Sequence, residues 1–139
     1  MKRTFLVLCA LMTSLTFTSC DLGDDGPNFN FVPLRIESVE MPESFDLNET
    51  YEISFNYIIP DGCTYYEGVD VVKDEITTRK VVVVGAQRTD QAACTEVIRE
   101  EVASFDFVVL HNQPYLFRFY QGENMNGEQQ FLEVEVPVN

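Results

Sequence analysis

The side chains that most often carry catalysis are few in this chain, and their spacing assembles no known catalytic set. His111 is the single histidine, and it lies three residues before Pro114 in a turn-like stretch. With no G-x-S-x-G motif near it, a nucleophilic triad is not predicted. A zinc site needs three or four nitrogen, sulfur or carboxylate ligands, and this inventory is too thin. We therefore expect no enzymatic activity, no metal and no cofactor.

Carboxylates are the one abundant reactive group. They occur as the clusters Asp70, Asp74 and Glu75, and Glu96, Glu100 and Glu101, and as the alternating pair Glu133 and Glu135. Two carboxylates can hydrolyse a glycosidic bond when both line one deep groove. A small domain rarely builds such a groove, and acidic residues at every second position of a strand are typical of its solvent face. We interpret these carboxylates as solvated surface.

Three tyrosines have positions that suit a different chemistry, the stacking of an exposed ring on a sugar. Tyr65 and Tyr66 follow Cys63 closely, and Tyr120 ends a predicted strand near Gly122. Adjacent residues of a strand point to opposite faces, so at most one of Tyr65 and Tyr66 is expected to be displayed. These three tyrosines are the candidate ligand-binding residues. Packing in the core or at a sheet edge is the alternative interpretation.

The segment that precedes any folded domain has the order of a secretory signal peptide. Lys2 and Arg3 come first, an apolar segment runs from Phe5 to Phe17, and small residues follow up to position 19. A charged start, an apolar middle and a small-residue end define such signals, here residues 1–19. The apolar segment is too short for a transmembrane helix, which needs about 20 apolar residues.

The sequence FTSC at residues 17–20 resembles the lipobox of bacterial lipoproteins, with Phe17 where Leu is commonest. The resemblance implies that Cys20 becomes the first mature residue and carries three acyl chains. Each buried methylene contributes about 0.8 kcal/mol to membrane binding, so three chains form a nearly permanent anchor. We expect the lipid on Cys20 to be the contact with the membrane.

An acidic run, Asp21, Asp24 and Asp25, follows directly in the sequence DLGDDG. It is similar to the acidic export tags of surface-exposed lipoproteins in some Gram-negative bacteria. The similarity implies an outer-membrane protein displayed at the cell surface, with the periplasmic face as the alternative. A plain acidic tether over residues 20–31 is the second interpretation. The run lacks the alternating ligands and distant Glu of an EF-hand, so it predicts no calcium site.

Net charge excludes one class of partner. Of the 9 basic residues, the two in the signal peptide are removed with it, and 7 basic against 23 acidic residues leave a net charge near −16. Nucleic acid is excluded, because phosphate binding needs a basic surface.

With Cys9 removed and Cys20 lipidated, Cys63 and Cys94 remain in a compartment that permits a disulfide. Closing that loop would stabilise the fold by about 3 to 4 kcal/mol.

From Leu34 onward the hydrophobic period is close to two, which is typical of half-buried strands. The stretch TYEISFNYII at residues 50–59 alternates apolar and polar residues most regularly. Further strands are predicted at Leu34–Met41, Thr64–Val72, Ile76–Gly85, Phe105–Leu110, Tyr115–Gln121 and Gln130–Val138. VVVV at residues 81–84 is apolar on both faces and suits a central strand. Pro33 and Pro137 lack an N–H and are expected at edges or strand ends. Residues 91–102 fit either a short helix or a strand.

About seven antiparallel strands with turn signals between them predict a single β-sandwich over residues 32–139. The stretch NQPYLFRFYQG, which contains Tyr115, resembles the tyrosine-corner strand of immunoglobulin-like sandwiches. Because the chain has no Trp, the resemblance implies this architecture and nothing finer. We expect a non-catalytic binding or structural module for a protein partner that the sequence does not identify. A carbohydrate-binding accessory that uses Tyr65, Tyr66 and Tyr120 is the alternative.

Overall fold

The computed structural model describes residues 28–139, and within them the chain forms eight β-strands and no helix. The strands are β1 (Phe29–Leu34), β2 (Ile36–Glu40), β3 (Thr50–Ile59), β4 (Thr64–Lys73), β5 (Thr78–Arg88), β6 (Arg99–Val108), β7 (Tyr115–Glu123) and β8 (Gln129–Val136). The described part therefore contains no helix able to cross a membrane. The predictions for the signal peptide, for lipidation at Cys20 and for Asp21, Asp24 and Asp25 concern residues outside this range.

The strands form two sheets that share one core. One sheet has three strands in the antiparallel order β2-β3-β6. The other has five strands and is built around β5, which pairs with β4 along one side. Along its other side β5 pairs with β1 over residues 83–88 and with β7 over residues 78–81, and β8 follows β7. The predicted all-β sandwich is confirmed, and VVVV lies in its central strand.

The core follows from the alternation of residues along the strands. Ile53, Phe55 and Tyr57 of β3 are buried, as the period of two predicts. They face the buried side chains of the five-stranded sheet, among them Val81, Val83, Phe117 and Phe119. Each such side chain contributes roughly 1.5 to 3 kcal/mol when it leaves water. The same alternation turns the intervening residues of β5 outward.

Strand number and pairing differ from the prediction. The structure has eight strands instead of about seven, because β1 begins at Phe29, three residues before the expected domain start at 32. β5 and β7 run parallel, whereas the sheets of immunoglobulin domains are antiparallel. Pro33 lies in an edge strand and Pro137 directly follows β8. Both prolines therefore have the predicted locations.

Residues 91–98 form neither helix nor strand, whereas residues 99–102 belong to β6, so the strand interpretation of residues 91–102 holds only from Arg99 onward. The Gly62 N–H donates to the Thr95 carbonyl over 2.9 Å, and Cys94 is bonded to Cys63. These two links hold the segment against the β3–β4 turn. Because the segment is held there, the ladder with β3 begins at the pair Ile59 and Arg99.

A tyrosine fixes the turn between β6 and β7. Tyr115 is fully buried at the start of β7, and its hydroxyl accepts hydrogen bonds from the Leu110 N–H over 3.2 Å and the His111 N–H over 3.1 Å. This is the geometry of a tyrosine corner. His111 itself occupies the turn, as the sequence predicts.

Candidate binding groove

The outer faces of the two sheets differ in chemistry. The three-stranded sheet presents hydroxyl, amide and carboxylate groups that bond to one another across its strands. Ser104 donates to Glu52 over 2.7 Å, and Asn56 donates to Glu100 over 2.7 Å. The five-stranded sheet presents apolar side chains at its centre instead, because Val82 and Val84 alternate with the core residues of β5. The second face is the unusual one, since one face of an antiparallel sheet is commonly solvated and polar.

A groove lies on that face because small side chains of β5 are flanked by larger ones. Phe31 of β1 and Tyr65 of β4 both lie directly opposite Ala86 of β5 in the strand register. Neighbouring strands are about 4.8 Å apart, so the backbones that carry Phe31 and Tyr65 are separated by about 10 Å. Ala86 is thus the floor between two aromatic walls. We call this depression the β5 groove.

The β5 groove consists of two adjoining depressions. One has a volume of about 540 Å³ and is lined by Phe31, Val32, Pro33, Glu67, Gly68, Val69, Asp70, Val82 and Val84. The other has a volume of about 430 Å³ and is lined by Phe29, Phe31, Tyr65, Glu67, Ala86 and Arg88. They meet at Phe31 and Glu67, which line both. The volumes are in the range of ligand sites, and the lining is predominantly apolar.

An irregularity in β4 shapes one wall of the groove. The register of β4 against β5 shifts between Tyr66 and Gly68, which leaves Glu67 as the extra residue of a β-bulge. A bulge redirects the side chains beside it, and Glu67 lines both depressions of the groove. Gly68 lies opposite Val84, and a Cβ there would meet no atom within 4 Å. The wall is therefore low at Gly68, next to the carboxylate.

The charges of the groove are mostly acidic. Glu67 and Asp70 line it, and neither forms an ion pair or a side-chain hydrogen bond with another residue in the described part of the chain. Arg88 is held by Asp90 through contacts of 2.7 and 3.0 Å. The hydrogen bond to Asp90 raises the pKa of Arg88, and the same bond lowers the pKa of Asp90. The groove thus contains two unpaired carboxylates and one neutralised guanidinium.

The three candidate tyrosines have different environments. Tyr65 is 48 % exposed and Tyr66 is 40 % exposed, so the expectation that at most one is displayed is wrong. β4 is an edge strand, and although Tyr66 packs on Tyr57 at 5.4 Å, the edge leaves its ring open to water. Tyr120 is only 6 % exposed and packs against Phe131, which corrects its role as a displayed ring. Burial raises the pKa of Tyr120. Only Tyr65 lines the groove.

Sequence reasoning missed the two most prominent residues of the groove. Phe29 is 45 % exposed and Phe31 is 70 % exposed, and both stand on β1. Residues 21–31 are rich in Gly, Asp, Asn and Pro, a composition that predicts a tether and hides the start of the strand. The signal that would have found the strand is the spacing of Phe29 and Phe31 by two, with Val32 and Leu34 behind them.

The disulfide end of the groove is held by a network around one carboxylate. Cys63 and Cys94 are bonded at an S–S distance of 1.99 Å, which confirms the predicted pair. Asp61 accepts hydrogen bonds from the Cys63 N–H, the Thr64 hydroxyl and the Gln87 amide, over 2.9, 2.8 and 3.2 Å. Burial opposes the ionised form, but these bonds outweigh it and lower the pKa of Asp61. The network ties the start of β4 to the end of β5 and so positions Tyr65.

The same cluster has the composition of a metal site but a different role. Ligand atoms of Asp61, Cys63 and Cys94 lie within 4.8 Å of one another. The two sulfur atoms are bonded to each other, so they supply no thiolate for a metal. The carboxylate already accepts three hydrogen bonds. The cluster is a structural brace.

The carboxylates of the groove do not have a glycosidase arrangement. Glu67 and Asp70 are both on β4, so they form part of a single wall. Glycoside hydrolysis requires two carboxyl groups that flank the scissile bond. Among the acidic residues outside the groove, Glu101 accepts a hydrogen bond from Tyr57 over 3.1 Å and lies within 3.5 Å of Arg99. The geometry supports binding at the groove better than hydrolysis.

The fold and this site define a class of protein: a disulfide-braced β-sandwich with an open apolar groove on the outer face of one sheet. No protein-family model, curated protein or solved structure matches the chain. The groove is therefore the feature from which a function can be inferred.

Proposed function

We propose that this protein is a lipid-anchored, non-catalytic binding module and that the β5 groove receives a protein partner. The observation that carries the proposal is the apolar outer face of β5 between the aromatic walls of β1 and β4. Exposed apolar surface that is contiguous and concave is typical of interaction sites. A strand as apolar as VVVV is commonly covered on both faces. Here one face is covered by the core, and the other is available to a partner.

The proposed anchor would keep the groove close to the membrane. Residues 21–28 separate Cys20 from the first residue of β1. Eight residues span at most about 30 Å when fully extended. Because β1 forms one wall of the groove, the partner would be met near the membrane surface, at the outer face of the cell.

Cross-linking in intact cells tests the binding role. A photoreactive phenylalanine analogue replaces Phe31 in the groove wall and, in a matched variant, Asp106 on the outer face of the three-stranded sheet. We expect one discrete adduct from position 31 and none from position 106. Equal labelling from both positions, or no adduct from position 31, would contradict the proposal.

The anchor has its own test. In cells fed radiolabelled palmitate, the wild-type protein should take up label and Cys20→Ala should take up none. Label in the variant would show that Cys20 is not the acylated residue, and it would leave the groove unaffected.

A carbohydrate ligand is a second candidate because Tyr65 stays exposed beside the groove floor. A sugar ring could lie against Tyr65 with Phe31 opposite. Binding of glycans on an array that is lost in Tyr65→Ala would favour this alternative. Absence of any glycan signal, together with an adduct from position 31, would favour the protein partner.

A further inference from the structure

The shape of the β5 groove suits a chain that lies along the strand. Its lining runs from Val82 to Arg88 on β5. Six steps of about 3.4 Å give a length of about 20 Å, which matches an extended segment of six or seven residues. Both depressions of the groove are open to solvent. A peptide segment of a partner protein fits these dimensions.

The floor and walls determine which side chains such a segment presents. Val82, Val84 and Ala86 line the floor, and Phe31 rises from β1 with 70 % of its surface exposed. Aliphatic or aromatic side chains of the segment would remove this surface from water. The apolar lining alone does not distinguish among partners, since any hydrophobic segment would satisfy it.

Charge makes that distinction. Covering the groove removes water from Glu67 and Asp70, and a carboxylate that loses water needs a cation or hydrogen-bond donors. Among the described residues, Arg88 is the only basic side chain that lines the groove, and it is occupied by Asp90. Lys80 lies two register pairs beyond Asp70 and lines neither depression. The occupant must therefore provide the positive charge.

The same reasoning excludes two other occupants. A second copy of this chain carries a formal net charge of −14 and would bring its own Glu67 and Asp70. Like charges at a desolvated contact disfavour association. Anionic lipid headgroups would be repelled in the same way.

Building on the proposed function, we infer that the β5 groove binds an extended segment of a partner protein in which Lys or Arg residues are interleaved with apolar residues. The apolar side chains of the segment cover Val82, Val84 and Ala86. Its basic side chains pair with Glu67 and Asp70 on the β4 wall. Specificity therefore arises from the acidic wall, and contact area from β5 and Phe31.

Three synthetic peptides of nine residues test the inference. All have alternating Leu and Phe at odd positions, and the even positions hold Lys, Ser or Glu. Fluorescence anisotropy measures their binding to the full-length protein in non-ionic detergent, with detergent alone as the blank. We expect the Lys peptide to bind, the Ser peptide to bind more weakly and the Glu peptide not to bind. Added salt should weaken the Lys peptide most.

Two double variants separate local charge from net charge. Glu67→Gln with Asp70→Asn should raise the Kd of the Lys peptide about five- to tenfold, as expected for the loss of two surface ion pairs. Glu52→Gln with Asp106→Asn makes the same charge change on the opposite sheet, where these residues face each other in the register. Its effect should stay below about twofold. Equal effects of the two double variants, or no binding of the Lys peptide, would overturn the inference.

Blocking the groove distinguishes this inference from the proposed function itself. A Cβ at position 68 meets no atom within 4 Å, and Gly68 lies opposite Val84. Gly68→Phe should therefore place a ring over the groove and abolish binding of the Lys and Ser peptides. Ile98→Phe, at an exposed position outside the groove, is the matched control and should change nothing. If Gly68→Phe abolishes binding while the Ser peptide binds as tightly as the Lys peptide, the groove is a binding site but the cationic partner is wrong. If Gly68→Phe has no effect on either peptide, the binding role of the groove is itself wrong.

Discussion

Removal of one hydroxyl from the tyrosine corner should measurably destabilise the domain. In Tyr115→Phe the ring stays buried and no cavity larger than an oxygen atom is created. The change removes the acceptor of the Leu110 and His111 N–H groups. Each such bond contributes about 0.5 to 1.5 kcal/mol net to stability. Leu110 is exposed, so its N–H can reach water after the change, and we expect a total loss of about 1 to 2 kcal/mol.

Tyr120→Phe is the matched control, because it also removes a hydroxyl from a buried ring. The Tyr120 hydroxyl accepts no backbone hydrogen bond from the described residues, so its loss should cost less than about 0.5 kcal/mol. Urea unfolding of the oxidised proteins measures both variants, and the m-values should equal that of the wild type. The lower stability of Tyr115→Phe should also appear as a decrease in Tm of roughly 4 to 8 °C.

Equal free energies of unfolding for the two variants would refute this reasoning. That result would mean that the two backbone N–H groups find water at no cost and that the corner contributes nothing net. A changed m-value for Tyr115→Phe alone would instead show that the turn between β6 and β7 no longer unfolds with the rest of the domain.

The remaining predictions concern ionisation, packing and the disulfide. Burial and a hydrogen bond to Glu101 raise the pKa of Tyr57 from 10.0 to about 12. The contribution of Tyr57 to stability is therefore complete below pH 10 and is lost as the pH rises to about 12. In Tyr57→Phe, the urea midpoint of unfolding should depend less on pH between 10 and 12 than it does in the wild type. A Cβ on Gly85 would lie 3.0 Å from three atoms of the Leu34 side chain, so Gly85→Ala should cost about 1 to 3 kcal/mol. Unchanged amide exchange in β1 would contradict that account. Reduction of Cys63–Cys94 opens a loop with a sequence separation of 31 and should lower the free energy of unfolding by about 3 to 4 kcal/mol. Dithiothreitol should have no such effect on a Cys94→Ser variant.

Much of the sandwich could be predicted because local alternation determines which face of a strand is buried. Ile53, Phe55 and Tyr57 are buried as their spacing predicts. The central place of residues 81–84 could also be predicted, since only a strand with neighbours on both sides is that apolar. The pattern does not say which face of such a strand is covered, because both faces are apolar. The groove lies on the face of β5 that the core leaves uncovered, so its location could not be predicted from this pattern.

The groove could not be predicted because its parts are distant in sequence. Phe31, Ala86 and Tyr65 form one row only through the registers of three strands. The position of β1 depends on Gly85 of β5, because only a residue without a side chain leaves room there for Leu34 of β1. Gly68 inside β4 is a local signal for a bulge, but the sequence does not show that Glu67 is the extra residue, which follows from the register shift between Tyr66 and Gly68. Local periodicity contains none of these relations.

The location of β1 has a mechanical consequence. Tension applied through the N-terminal segment would first load the hydrogen bonds that the Asn28 carbonyl accepts from Thr89, and then the six residue pairs that join β1 to β5. These pairs would open one after another from the Phe29 end, since the pulling force acts at that terminus. The remaining strands and the disulfide would stay assembled while Phe29 and Phe31 left their places. Force on the N-terminal segment would thus release a segment bound in the groove before it unfolded the sandwich, and a ligand that bridges β1 and β4 would raise the force required.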